Sequence, residues 1–390
     1  MTATRAPLLL VANARMPSQR AQSLQVAQCA AAYERAGAPT TLLHARRRDT
    51  APMEAGALMD LYAVPPGARP AVEAIPCIDQ IDSVPRRMQY LPARMQELTF
   101  ARAAARRVRK APPEARVLCR EIDAAYQLRG RRGVFLEIHR VPGGRKRRQW
   151  LTRVARDAAG FVAISSGVAE DLMEAGVEEE SILVEHDGFQ PERFAGLPSK
   201  ADARAELGIA PDDFVVVYTG GLLHWKGVDV LVDAARLLPK LRFVIAGGMD
   251  ADVEALRSYA GGLEHVRIDG FQPPGRVPLY LAAGDLGVVP NRAKPAISSR
   301  YTSPLKVFES MAAGLPMVVS DLLSLRDVLG PKEARFATAE DPTALARVLM
   351  ELAQDEPARS AMSERLLKRS LDHTWDARAA RILDWMEERA

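Results

Sequence analysis

Cysteine, histidine and aromatic residues are all scarce. The chain of 390 residues has three cysteines, six histidines and 6% Phe, Trp and Tyr. Cys29, Cys77 and Cys119 are scattered and odd in number, which argues against a disulfide framework and for reduced thiols in a cytoplasm. None has metal-ligand spacing with a histidine, so neither a metal nor another cofactor is expected. No apolar run reaches the roughly 20 residues that cross a bilayer. Residues 8–12 are too short for a secretory signal core and precede no cleavage pattern. Three phosphate or acyl signatures are missing too. No Gly-x-Gly-x-x-Gly follows a first strand, Lys226-Gly227 has the wrong order for a P-loop, and no Gly-x-Ser-x-Gly offers an acyl-transfer serine.

What is present is a globular composition, 48% apolar and 26% charged. Short apolar runs at 8–12, 41–44, 117–120, 134–139, 161–164 and 182–185 alternate with amphipathic stretches. The pattern restarts with runs at 215–219, 243–246, 266–268, 286–289, 317–320 and 334–337. Such alternation predicts parallel sheets with helices on both faces. The length suggests two domains. The class is therefore α/β, two doubly wound, Rossmann-like domains facing a central cleft, where such sheets bind ligands. The polar, proline-bearing stretch 192–213 is expected to link them, with domains at 1–195 and 196–370. Residues 52–100 are proline-rich and poorly periodic. The final segment, 371–390, carries Ala380, Leu383 and Met386 at helical spacing, the face of a helix that docks back on the first domain.

Charge is uneven. Residues 1–195 hold 29 Lys+Arg against 22 Asp+Glu, and the rest hold 24 against 27. The excess gathers in Arg46–Arg48, 102–110, 129–132 and 145–148. Each run alone reads as a solvated face. Together they suit an anionic acceptor or contact with an anionic membrane from its cytoplasmic side. Nucleic acid is not expected, because no aromatics interleave with the runs as stacking platforms.

Two lysines stand at helix starts of the second half. One follows Thr219-Gly220-Gly221, at Lys226. The other is Lys306, in Ser303-Pro304-Leu305-Lys306, with Ser303 suited to the N-cap and Pro304 to the first helical position. A helix start carries unpaired N–H groups and partial positive charge, so a cation there is unfavourable unless an anion joins it. Two such places imply a highly charged anion, most simply a diphosphate. Glu309 lies on the same helix face as Lys306 and can accept from hydroxyls. Diphosphate plus hydroxyls reads as a nucleotide sugar. The plain alternative is a tight turn at Gly220-Gly221 and a solvated Lys306–Glu309 pair. Asp250-Ala251-Asp252 reads as the start of a helix. Glu137 and His139 end a buried-looking strand, His139 either handling a proton at the cleft or sitting satisfied in the core. Ser18, with Ser23 and Gln25, follows the first strand as cleft residues or plain caps.

The segments 218–229, 243–248, 266–271 and 301–321, above all Phe308-Glu309-Ser310-Met311-Ala312-Ala313-Gly314-Leu315-Pro316, resemble the family 4 glycosyltransferases of GT-B fold, as do 161–168 and 187–194. The resemblance implies a nucleoside-diphosphate sugar held by the second domain, a carbohydrate or lipid-linked acceptor held by the first, and retention without a metal. It places Glu309 on the ribose hydroxyls, Lys226 on the diphosphate, Phe271 in the donor site, and His139 with Glu137 beside the reacting sugar. Ser18 falls on the acceptor side. Two positions depart from the family: Tyr301 replaces the first glutamate of its Glu-x7-Glu pair, and Gly221 replaces an arginine, whose charge Lys306 could supply. These leave open a degenerate nucleotide-sugar-binding protein, or an epimerase of the same fold, beside an enzyme of surface polysaccharide or glycolipid synthesis.

Overall fold

The computed structural model describes residues 5–18, 21–48, 50–51, 53–67 and 69–389. Two compact units divide the chain, Met1–His186 with Trp375–Ala390, and Asp187–Thr374.

The first unit is built on a seven-stranded sheet. Its strands are β1 (Leu8–Met16), β2 (Thr40–Arg46), β3 (Ala71–Ile75), β4 (Arg116–Cys119), β5 (Val134–Ile138), β6 (Gly160–Ala163) and β7 (Ile182–Val184), in the order β3-β2-β1-β4-β5-β6-β7. All pairings are parallel. β4 and β5 are almost wholly buried, as apolar strands covered on both faces must be. Strand order reverses between β1 and β4, so the loops after those strands diverge and leave a crevice at their carboxyl ends.

The second unit repeats the plan with β8 (Val215–Thr219), β9 (Arg242–Ala246), β10 (Val266–Gly270), β11 (Leu286–Val289), β12 (Met317–Ser320) and β13 (Ala334–Ala337), in the order β10-β9-β8-β11-β12-β13, again all parallel. The reversal lies between β8 and β11. The helix Leu305–Ala312 packs Val307, Phe308 and Met311 into the core, each fully buried. Burying such side chains contributes about 1.5–3 kcal/mol apiece, which fixes the helix and the residues at its start.

Three features differ from the sequence reading. β3 was not expected: it is an edge strand with only Ile75 buried, so it carries little apolar signal. The stretch 192–213 is no linker. It contains the helix Lys200–Leu207, capped by Ser199, and Phe194, Ala203, Leu207 and Ile209 sit in the second unit's core. The chain instead passes between units at His186–Asp187 and Thr374–Trp375, where residues 195 and 370 were expected. The cause is local: Phe189 bridges to Thr374 and packs edge-on against Phe194, drawing 187–194 into the second unit. The last helix, Trp375–Glu388, buries Trp375, Arg378, Ala379, Ile382, Leu383 and Met386 within the first unit. Its apolar face is thus shifted from Ala380 to Ala379.

Candidate functional site

At the strand-order reversal of the second unit, the loops after β8, β9 and β11 approach one another through glycines. Gly247 has φ +127, and a Cβ there would lie 2.2 Å from the Gly220 carbonyl oxygen. Gly220 has φ +128 and donates its N–H to Ala246 at 2.9 Å. Gly227 has φ +64, and a Cβ would come within 2.0 Å of the Pro290 oxygen. Only glycine fits such positions. Trp225 accepts from the Arg292 N–H at 2.9 Å, so the turn bearing Lys226 is seated against the chain leaving β11.

Lys226 lies in a one-turn 3-10 helix, His224–Lys226, just before the helix Val228–Arg236. It precedes the helix start rather than occupying it, because left-handed Gly227 forms the junction. Its ammonium sits 4.0 Å from the Trp225 ring centroid. The side chain is half-buried, and desolvation pulls its pKa down to about 8. Lys306 is the second residue of its helix and only 7% exposed. Its Nζ is buried without a hydrogen-bond partner, 3.6 Å from the Tyr218 ring centroid. A Cβ on Gly220 would lie 3.4 Å from that Nζ. Burial, then repulsion from Lys226, hold Lys306 well below its ordinary value, opposed only in part by Glu309. A buried, unpaired ammonium repelled by a second ammonium is an arrangement that an anion would complete.

The other expected donor residues divide. Gly221 is exposed and its carbonyl accepts from the Tyr218 hydroxyl at 2.7 Å. Ser303 is not the N-cap. Pro304 takes that position, Leu305 opens the helix, and the Ser303 hydroxyl instead accepts from the Asp187 N–H at 2.7 Å. Phe271 follows β10 and is 44% exposed, an apolar ring open to a planar partner. Glu309 Oε1 accepts from Arg193 at 2.9 Å, and Arg193 also donates to the Pro274 carbonyl. Sequence reasoning missed Arg193, which lies far from Glu309 in the chain. It also missed Asn291, fully buried two residues after β11, whose amide nitrogen and oxygen both lack partners.

The first unit assembles a separate cluster where β4 and β5 end. Glu137 is 1% exposed. Its Oε2 accepts from Arg378 at 2.9 Å, and the His139 tautomer protonated at Nε2 donates to Oε1 at 2.7 Å. Arg120 stands 3.3 Å from Oε1 and 2.5 Å from the same ring nitrogen, and donates to Gln25 at 2.8 Å. Burial alone would raise the Glu137 pKa. The pull of Arg378, then of Arg120 and His139, holds it well below the usual range. Both Glu137 oxygens are thus engaged, while the His139 side chain is 30% exposed. Ser18 is fastened by Tyr62, whose hydroxyl accepts from the Ser18 N–H at 2.8 Å and donates to its carbonyl at 3.0 Å. Glu121, also missed, takes the Asn13 N–H on one oxygen, and burial pushes it up to about 7. Among the described residues no group of three or more His, Cys, Asp or Glu could hold a metal ion. Asp250 and Asp252 lie in the first turn of the helix Asp250–Ala260.

The family match falls within the second unit. Residues 199–369 match the family described as glycosyl transferases group 1. A D-inositol 3-phosphate glycosyltransferase of Xylanimonas cellulosilytica is 30% identical over 257 residues, 62% of this chain and 60% of that protein. An alpha-galactosylglucosyldiacylglycerol synthase of Streptococcus pneumoniae is 25% identical over 175 residues, 42% of this chain and 44% of that one. The match spans about three fifths or less of these relatives' length. Among solved structures, the sucrose-phosphate synthase of Thermosynechococcus elongatus aligns with a TM-score of 0.78 at 17% identity, covering 98% of this chain and 99% of that one. Anabaena HepE, crystallised in complex with UDP, aligns at 0.75 and 16%, covering 98% and 100%. Likeness at this identity is one of fold. Residues 199–369 are thus similar to the glycosyl transferases group 1 family, and the chain has the GT-B fold of these solved structures.

Proposed function

We propose that the protein is a retaining glycosyltransferase that moves a sugar, a hexose or a close relative, from a nucleoside diphosphate to an acceptor hydroxyl. The observation that carries this reading is the Lys306 ammonium, buried and unpaired beside Gly220 and repelled by Lys226. A diphosphate between the two lysines would relieve that repulsion and stabilise the charge that grows on the leaving group as the sugar bond breaks. Glu309, steadied by Arg193, is suited to the ribose hydroxyls, and Phe271 to the base. Donor-holding residues would be Gly220, Gly221, Lys226, Phe271, Ser303, Pro304, Leu305, Lys306 and Glu309. Ser303 would act by holding the backbone ahead of the helix. UDP is the first donor base to try, since an Anabaena protein of the same fold was crystallised with UDP and with UDP-glucose.

His139, held by Glu137, would orient the acceptor or the reacting sugar, with Ser18 on the same side. No carboxylate pair suggests a double displacement. The acceptor would attack from the face the diphosphate leaves, and the diphosphate would take its proton. The acceptor is a carbohydrate or lipid-linked hydroxyl, and the second unit, Asp187–Thr374, is the donor-binding one. Thermal melting with UDP, GDP and their sugars tests this, because a ligand of the folded state raises apparent stability. Wild type should shift, and Lys226→Ala and Lys306→Ala should not. Each variant should also lose turnover by about 10²-fold or more, the scale of one removed charge-stabilising donor. Full activity in both variants would overturn the mechanism, and binding without donor turnover would favour the degenerate protein.

A further inference from the structure

A cavity of about 530 Å³ opens in the first unit where the chain leaves β5, beginning at the residue after His139. Tyr90, Leu98 and Trp150 give it apolar walls, and Arg94, Arg140, Lys146 and Arg147 give it cations, with no carboxylate in the lining. Two of these cations are already neutralised. Arg147 pairs with Glu97 at 2.7 Å and Asp123 at 2.9 Å, and Arg94 pairs with the same two carboxylates. That network ties the helices Tyr90–Val108, Ile122–Gln127 and Arg145–Ala155 into a rigid floor. Arg140 and Lys146 remain. Both are exposed, neither has an ion pair or hydrogen bond among the described residues, and Lys146 only overhangs the Trp150 ring at 5.7 Å.

Beside this mouth the start of the helix Tyr90–Val108 presents an apolar ledge. Tyr90 and Leu91 are each 74% exposed, with Met88 at 59% and Met95 at 37%. Large apolar side chains grouped at the surface mark an interaction site rather than scatter. An apolar ledge adjoining uncommitted cations is complementary to one kind of surface, a bilayer with anionic headgroups. The ledge would enter the interface, and Arg140 and Lys146 would meet phosphates. An acidic protein would match the cations but would leave the ledge in water unless it also offered an apolar groove.

We propose that this ledge and cavity dock the first unit on anionic phospholipid, with a headgroup held in the cavity one residue from His139. The acceptor would then be lipid-borne, so this deepens the transferase reading and rests on it. The test is sedimentation of the full chain with phosphatidylcholine vesicles, with and without phosphatidylglycerol. Binding is expected only with phosphatidylglycerol, weakening with salt. Arg140→Glu combined with Lys146→Glu should lower the vesicle partition constant at least about tenfold. Met88→Ser with Leu91→Ser should lower it severalfold, while the melting shift given by UDP stays as in wild type for every variant. Equal binding to both vesicle types, no binding to either, or wild-type binding by the ledge variant would each overturn the proposal. Soluble glycerol phosphate that blocks binding at the concentration of the lipid would also overturn it, by showing an anion site without a membrane. Vesicle binding that persists when no nucleoside diphosphate shifts the melting would remove the donor reading and leave the docking surface standing.

Discussion

Lys306 and Lys226 weaken the empty protein so that the occupied one gains. For Lys226 the folded value is about 8 against an ordinary 10.5. Between those values the unfolded chain binds more protons than the folded one, so stability rises with pH across that window. Below pH 8 the whole penalty is present. Lys226→Met should therefore stabilise the ligand-free protein at pH 7 by on the order of 1–3 kcal/mol, and the gain should fade towards pH 10.5. Denaturant melts of both proteins at pH 7 and pH 10 measure it. An anion favours the charged lysine, so the affinity for UDP should fall as pH rises past 8, by up to about tenfold per pH unit, read by titration calorimetry. A lysine at a helix start is legible in a sequence because it contradicts the helix dipole. The Arg193–Glu309 pair and the unpartnered amide of Asn291 are not legible. Each depends on contacts between residues far apart in the chain, and neither breaks a local rule.

Elements carry the site through their ends. The turns after β8 and β9 touch because Gly220 and Gly247 lack side chains, and Lys306 lies against that contact. Gly247→Ala would set a Cβ into the backbone oxygen of Gly220 and force a left-handed alanine. The strained backbone alone costs roughly 1–3 kcal/mol, and the displaced Gly220 would disturb Lys306, so the response to UDP should disappear along with stability. Gly275→Ala is the control: nothing lies within 4 Å of its added Cβ and its φ is ordinary, so stability should change by less than about 0.5 kcal/mol. Melting of the two variants with and without UDP separates loop geometry from composition. Elements whose signal is burial on both faces, such as β5 and β12, stand out in the sequence as apolar runs. β3 does not, since one buried residue at a sheet edge leaves no pattern. The helix Lys200–Leu207 was hidden for another reason: its flanking prolines and polar face imitate a linker, and only its contacts in the core reveal it.

At the scale of the whole molecule, the chain returns to its first unit after completing its second, and a buried ion pair marks the return. Arg378, 1% exposed, reaches Glu137 at 2.9 Å and donates to the His186 carbonyl at 2.7 Å, at the end of the first pass through that unit. Around it Arg35 pairs with Asp376 at 2.6 Å, and Arg381 holds Glu185 at 2.6 Å. Gly160 leaves room for the Trp385 ring, which a Cβ would strike at 2.3 Å. Removing Arg378 leaves Glu137 Oε2 without its partner while Oε1 keeps Arg120 and His139, so the cost should lie at or below the roughly 3–5 kcal/mol of a fully broken buried pair. Arg378→Met should therefore lower the melting of the first unit and free the Glu137 carboxylate to draw His139 out of its set position. The second unit, with its own core, should keep its transition and its shift with UDP. Calorimetry of the full chain with and without UDP reads both. Two separated transitions, of which only the nucleotide-insensitive one moves down, are expected. A single transition that falls as a whole would show that the last helix stabilises both units together. Replacing Glu137 with Gln alongside Arg378→Met should not recover the lost stability, because buried Arg120 would then lose its carboxylate as well.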